Sequence, residues 1–196
     1  MKGAVKKIIN FIGFQAAWLA AVFGAAAGNY WIGPLVLLIW LALHVYGSGR
    51  PLPEVKIAVA SLLLGVGIDT VLIGFGVYTP RGLISGWPIT PPWMLALWVN
   101  FGTVVNGSLS WLKGRYLLGA FLGAWGGPMA YYSGHRLGAL TFQPPVALHL
   151  AFLGAAWAVA VPLLFFLAEK FQGRPTPPPG RVRSGTDYRS RPSSPC

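Results

Sequence analysis

The chain is built from long apolar runs separated by short segments of Gly, Pro and basic residues. Six runs, 8–27, 31–46, 57–78, 93–112, 116–134 and 146–168, approach the length of about 20 residues that a helix needs to cross hydrocarbon. The breaks between them are Gly28-Asn29, 47–53, 79–92, Lys113-Gly114-Arg115 and Gln143-Pro144-Pro145, each a turn or loop by its Gly, Pro and polar content. Six such runs in one chain leave too little polar surface for water, so the pattern predicts an all-α polytopic transmembrane bundle of six helices.

Charge gives the predicted bundle an orientation. With the N-terminus inside, the cytoplasmic segments hold Lys2, Lys6, Lys7, Arg50, Lys56, Lys113, Arg115, Lys170, Arg174, Arg181, Arg183, Arg189 and Arg191, and the outer segments hold only Arg81 and Arg136. Lys and Arg are retained on the cytoplasmic side, so both termini are expected there, in a bacterial inner membrane. Tyr30, Trp31, Tyr78, Trp87 and Trp93 fall at the expected outer borders, and Tyr46, Trp111, Tyr116 and Phe171 at the inner ones, where amphipathic rings suit the headgroup level.

Composition agrees. Hydrophobic residues make up 55% of the 196, charged residues only 10%, and mean hydropathy is +0.59, whereas soluble domains carry roughly 25% charged residues. The net charge of +11 sits at the ends of apolar runs rather than among exposed aromatics, so it argues against a nucleic-acid partner. The single cysteine, Cys196, allows no intrachain disulfide. Lys6-Lys7, an apolar run and Ala25-Ala26-Ala27 resemble a secretory signal, but the run is long for one and contains Asn10 and Gln15. From residue 172 on, Pro and Arg dominate and Val182 is the only aliphatic residue. This divides the chain into a six-helix domain, 1–171, and a basic cytoplasmic tail, 172–196, expected to be disordered and able to rest on anionic lipid.

A few polar residues interrupt the apolar runs. Asp69 falls near the middle of the third, where a carboxyl group costs on the order of 3 kcal/mol and must be neutral, paired or facing a wet cavity. Asn100 and the Gly126-Gly127-Pro128 break lie at a similar expected depth. Two readings follow: an ion, proton or ligand site at Asp69, or a hydrogen bond from Asp69 to Asn100 or to kinked backbone that joins helices. Nearer the cytoplasm, Asn100, Thr103, Asn106 or Gly107, and Ser110 would share one face of the fourth helix, with Gln15 and His44 at comparable depth. His44, Asn106 and Ser110 could hold a lipid headgroup or serve acid–base chemistry; interhelical hydrogen bonding is the plainer account. On the outer side, Tyr131, Tyr132, His135, Arg136 and His149 could gather, with Arg136 either binding an anion or reaching lipid phosphate. Gly119, Gly123 and Gly127 at four-residue spacing, with Gly13/Ala17 and Gly24/Gly28 on the first helix, permit close helix packing. Neither a zinc-protease motif, a phosphate-binding glycine loop nor a nucleophile elbow is present, so no metal, cofactor or catalytic residue is assigned. Two halves of three helices would permit an inverted-repeat plan, though they share no convincing sequence similarity.

Several short motifs occur in order: Asn10-Phe11-x-x-Phe14-Gln15-x-x-Trp18, Gly33-Pro34-Leu35, Ala42-Leu43-His44, Gly67-Ile68-Asp69, Leu97-Trp98, Asn106-Gly107-Ser108-Leu109-x-Trp111-Leu112 and Gly126-Gly127-Pro128-x-Ala130-Tyr131-x-x-Gly134-x-Arg136-Leu137-Gly138-Ala139. Together they resemble a bacterial multi-pass membrane family catalogued as domain of unknown function 2878, over the chain up to about Glu169. The resemblance implies an integral inner-membrane protein with an uncleaved first helix and no established activity; genes of this kind often accompany fatty-acyl-modifying enzymes. The functions to weigh are a lipid-handling or lipid-linked accessory protein with Asp69 and the inner polar face as its site, a proton-coupled carrier titrating at Asp69, an intramembrane enzyme using His44 with Asn106 and Ser110, and a structural subunit of a membrane complex. The expected partners are membrane lipids, with a second copy or another membrane protein also possible.

Overall fold

The computed structural model describes residues 2–83 and 89–172; the expected tail from 173 on and Trp87 lie outside them, while Gln172, expected in the tail, ends the last helix. The six helices are α1 (Lys2–Ala26), α2 (Ile32–Ser48), α3 (Pro51–Gly74), α4 (Pro92–Val105), α5 (Tyr116–Arg136) and α6 (Val146–Gln172), with a 3-10 turn at Ser110–Leu112 between α4 and α5. The architecture is the expected all-α bundle. Three helices, α1, α3 and α6, are long and apolar enough to cross a membrane. Large aliphatic side chains stand on the outside of the bundle, among them Ile39 at 66% exposure, Leu63 at 66% and Val159 at 68%. So much apolar surface is unstable in water and marks a membrane protein.

Successive helices run back and forth. One end of the bundle gathers the start of α1, the α2–α3 and α4–α5 connections and the end of α6; it carries Lys6, Lys7, Arg50, Lys56, Lys113, Arg115 and Lys170, and is called the basic end. At the other end two short strands, β1 (Thr79–Pro80) and β2 (Leu140–Thr141), pair antiparallel and clasp the α3–α4 connection to the α5–α6 connection. α4 is the central helix, packing on α1, α2 and α3, while α5 packs mainly on α6. The α5–α6 seam is tight because glycines line it. A Cβ on Gly127 would run into the Trp157 ring, one on Gly123 into the Trp157 carbonyl, and one on Gly154 would come within 3.0 Å of the Ala124 oxygen. That last oxygen is the one Pro128 leaves without a helical donor.

Several boundaries differ from the sequence expectation, and those of α3 and α4 move the polar residues. α3 starts at Pro51 rather than at 57 and ends at Gly74 rather than 78, because Pro51 at the first helical position and Glu54 in the first turn make a helix start. Asp69 is therefore five residues from the end of α3, about 8 Å at 1.5 Å per residue, and is displaced from the helix middle towards the clasp. α4 ends at Val105 instead of running to 112. Asn106 and Gly107 are poor helix formers, and the Ser108 amide donates to Asn10 Oδ1 of α1 at 2.7 Å. The predicted polar stripe thus breaks after Thr103, and Ser110 sits in the 3-10 turn.

Candidate functional site

α1 and α5 flank the central helix α4 without packing closely on each other, which leaves a groove. This cavity of about 590 Å³ is walled by α1 (Phe11, Phe14, Gln15, Trp18, Val22), by α4 (Trp93, Met94, Leu97, Trp98, Phe101, Val104) and by α5 from Leu122 to Gly134, with Trp157 and Val161 of α6 at its floor. Phe11, Gln15, Leu122 and Gly126 on its rims are exposed, so it opens sideways from the bundle. Among the described residues its wall is overwhelmingly apolar and carries no Asp, Glu, Lys or Arg.

Two of the wall's side chains hold the buried acid. Trp98 donates its indole N–H to Asp69 Oδ2 at 2.8 Å, and Tyr131 donates its hydroxyl to Oδ1 at 2.6 Å. Asp69 itself is fully buried and is not part of the groove wall. Trp98 stacks on Trp157 with ring centroids 4.5 Å apart and planes 16° apart, and Tyr131 meets Tyr78 edge-on at 5.1 Å. The carboxyl group therefore fixes the two aromatic plates of the groove from behind, joining α3 to α4 and α5. Asn100 is not its partner. Residues two apart on a helix face nearly opposite ways, and Asn100 donates instead to the Phe14 carbonyl of α1 at 2.9 Å.

At the basic end a second network closes the bundle below the groove. Asn10 is only 5% exposed. Its Oδ1 accepts the Ser108 N–H, which can only donate, so its Nδ2 is the atom facing the Thr103 carbonyl at 3.0 Å and His44 Nδ1 at 3.3 Å. His44 Nδ1 then accepts, and Nε2 carries the proton towards Glu54 Oε2 at 3.1 Å. The same carboxylate oxygen takes Asn106 Nδ2 at 3.3 Å, while Asn106 Oδ1 accepts from Lys113 Nζ at 2.7 Å and Gln172 Nε2 at 2.9 Å. Partial burial lowers the Lys113 ammonium's pKa, against the opposing pull of Glu54 and Glu169. Glu169 ties the end of α6 to the α4–α5 connection through the Gly114 amide and the Tyr116 hydroxyl, both at 2.7 Å.

The sequence family described as "Protein of unknown function (DUF2878)" matches residues 7–163, which takes in α1 through most of α6. The chain belongs to this family. No curated protein and no solved structure matches it. The DUF2878 region includes the whole described groove wall, the Asp69 pin and all of the basic-end network except Glu169 and Gln172.

The residues singled out from the sequence of this DUF2878 protein fall into separate places. Gln15 and Tyr131 are in the groove wall, and Asp69 is directly behind it. His44 and Asn106 meet on Glu54 rather than on each other. The Ser110 side chain forms no hydrogen bond among the described residues, so the His44–Asn106–Ser110 constellation required of an enzyme does not assemble. Tyr131 is buried, whereas Arg136 is exposed at the last turn of α5, so these two do not share a surface. His135 approaches the Leu140 carbonyl at 3.4 Å, Tyr132 lies beside it, and His149 stacks on Phe142. Glu54, Asn10 and Trp98 are the structural residues that sequence reasoning passed over.

Proposed function

We propose that this protein binds lipid in the bacterial inner membrane, both chain ends on the cytoplasmic side, with one apolar chain held in the groove between α1 and α5. The groove carries the reading. It runs beside α1 from Phe11 to Val22 and beside α5 from Leu122 to Gly134, about 16–18 Å at 1.5 Å per residue. One leaflet of hydrocarbon is about 15 Å deep, so an extended chain entering from the side would fill it. Its volume of about 590 Å³ falls in the usual range of roughly 300–1,000 Å³ for small-molecule sites. The orientation rests on Lys6, Lys7, Arg50, Lys56, Lys113, Arg115 and Lys170 at the basic end, against Arg81 and Arg136 at the clasp. A carrier titrating at Asp69 has less support, since that carboxyl group is sealed behind Trp98 and Tyr131.

Gly126 supplies the test. A Cβ there would meet nothing within 4 Å, and the residue is on the groove rim. Gly126→Leu is expected to fill the groove without disturbing the bundle, and to gain up to about 1 kcal/mol in helix propensity. Native mass spectrometry of protein extracted in mild detergent should show lipid adducts on the unaltered protein and several-fold fewer on the variant, at equal helicity and thermal stability. Equal lipid retention by both proteins would overturn the groove as the binding site.

A further inference from the structure

Gln15 is out of place in the groove. It lies eight residues beyond Lys7 on α1, about 12 Å deeper into the bundle. The Asn100 bond to the neighbouring Phe14 carbonyl sets it level with the middle of α4. Its side chain is exposed, lines the groove, and has no hydrogen-bond partner among the described residues. The other deep amides on these helices, Asn10 and Asn100, are both engaged with backbone. A carboxamide offers two donor hydrogens and an acceptor oxygen, and hydrocarbon satisfies none of them. Lipid alone is therefore a poor neighbour for it; Phe14 and Phe101 in the same wall carry no polar side-chain atom, and the Trp18 indole N–H forms no bond to it among the described residues.

We infer that Gln15 recognises a neutral oxygen-bearing group, a carbonyl, ether or hydroxyl, carried deep along an otherwise apolar chain, so that the groove selects oxygenated chains over plain hydrocarbon. The inference rests on the groove being the lipid site. Neutrality follows from the wall: with no charged residue lining the groove among the described residues, an ionised ligand group at this depth would be buried unpaired. Width follows from Gly126, whose open space on α5 leaves room for a substituent or a small ring beside the chain. Two sources carry this chemistry, a lipid with an oxygenated acyl chain and a quinone with an isoprenoid tail.

The experiment uses the full-length protein, delipidated and reconstituted in nanodiscs. Three probes are compared by native mass spectrometry: phosphatidylglycerol with plain saturated chains, the same lipid with a keto group midway along one chain, and a prenylated benzoquinone. The unaltered protein should favour at least one oxygenated probe over the plain lipid by about tenfold, equivalent to about 1.4 kcal/mol. Which oxygenated probe wins identifies the source. Gln15→Leu, similar in size, should erase that preference so that the oxygenated and plain probes bind alike, and Gly126→Leu should weaken all three. Equal binding of all probes to the unaltered protein, or a preference that survives Gln15→Leu, would overturn the role of Gln15 and leave the groove standing. Failure of every probe to bind would overturn the groove itself. If Gln15→Leu instead splits a dimer into monomers, the amide serves a second copy of the chain and the inference is wrong.

Discussion

Asp69→Ala is expected to lower the unfolding free energy by about 2–4 kcal/mol, and Asp69→Asn by no more than about 1 kcal/mol. The asymmetry comes from the donors. Trp98 is locked by its stack on Trp157 and its indole N–H can only donate, so removing the carboxyl group leaves it unpaired in a dry interior. Tyr131 has an alternative, since the Tyr78 hydroxyl is buried nearby with no hydrogen-bond partner among the described residues. The loss should therefore come mostly from Trp98, compounded by the cavity left by the missing atoms. Asparagine keeps an oxygen for Trp98 and turns its amide towards Tyr131, whose hydroxyl can accept as well as donate. Interhelical hydrogen bonds in membranes average only about 0.6 kcal/mol, because the unfolded chain finds other partners. A loss of that size for Asp69→Ala, or equal losses for both variants, in detergent unfolding titrations would show that Asp69 does not pin the bundle.

The helices could be read from hydrophobic run lengths because membrane helices have few other ways to satisfy their backbone. What joins them was less legible. Asp69 was recognisable as a buried polar centre, yet Asn100 or the kinked backbone of the fifth helix was the expected partner, when the partners are aromatic residues with one polar atom each. A signal did exist for Trp98, which lies in the middle of α4 and away from the helix ends where ring anchors belong; Tyr131, five residues from the end of α5, gave none. Glu54 was overlooked because placing the start of α3 at 57 left it in a loop; Pro51 and Pro53 ahead of an acid mark the true start. Asn10 binds residues 93 and 98 positions away, and no local spacing rule covers such a reach. The groove was illegible for a different reason: it depends on α1 and α5 standing apart, a product of the packing of all six helices.

Gly107→Ala is expected to cost about 2–3 kcal/mol, almost as much as Asn10→Ala, and the two together little more than either alone. A Cβ on Gly107 would run into the Asn10 carboxamide. Gly107 does not have a positive φ, so the backbone accepts alanine and the clash is the sole objection. Expelling Asn10 leaves the Ser108 amide and the Thr103 carbonyl without their partner and takes a donor from His44, which is also what Asn10→Ala does. Once Asn10 is shortened, alanine at 107 has room, so the second change adds little and the cycle should show a coupling close to the size of one single loss, about 2 kcal/mol. Hydrogen exchange gives an independent reading: the Ser108 amide should lose protection in both single variants. Additive losses would mean that Gly107 is needed for some reason other than Asn10. Coupled losses would mean that the break at the end of α4, where a continuous helix was expected, exists because α1 reaches across with one side chain and takes the place of the next helical turn.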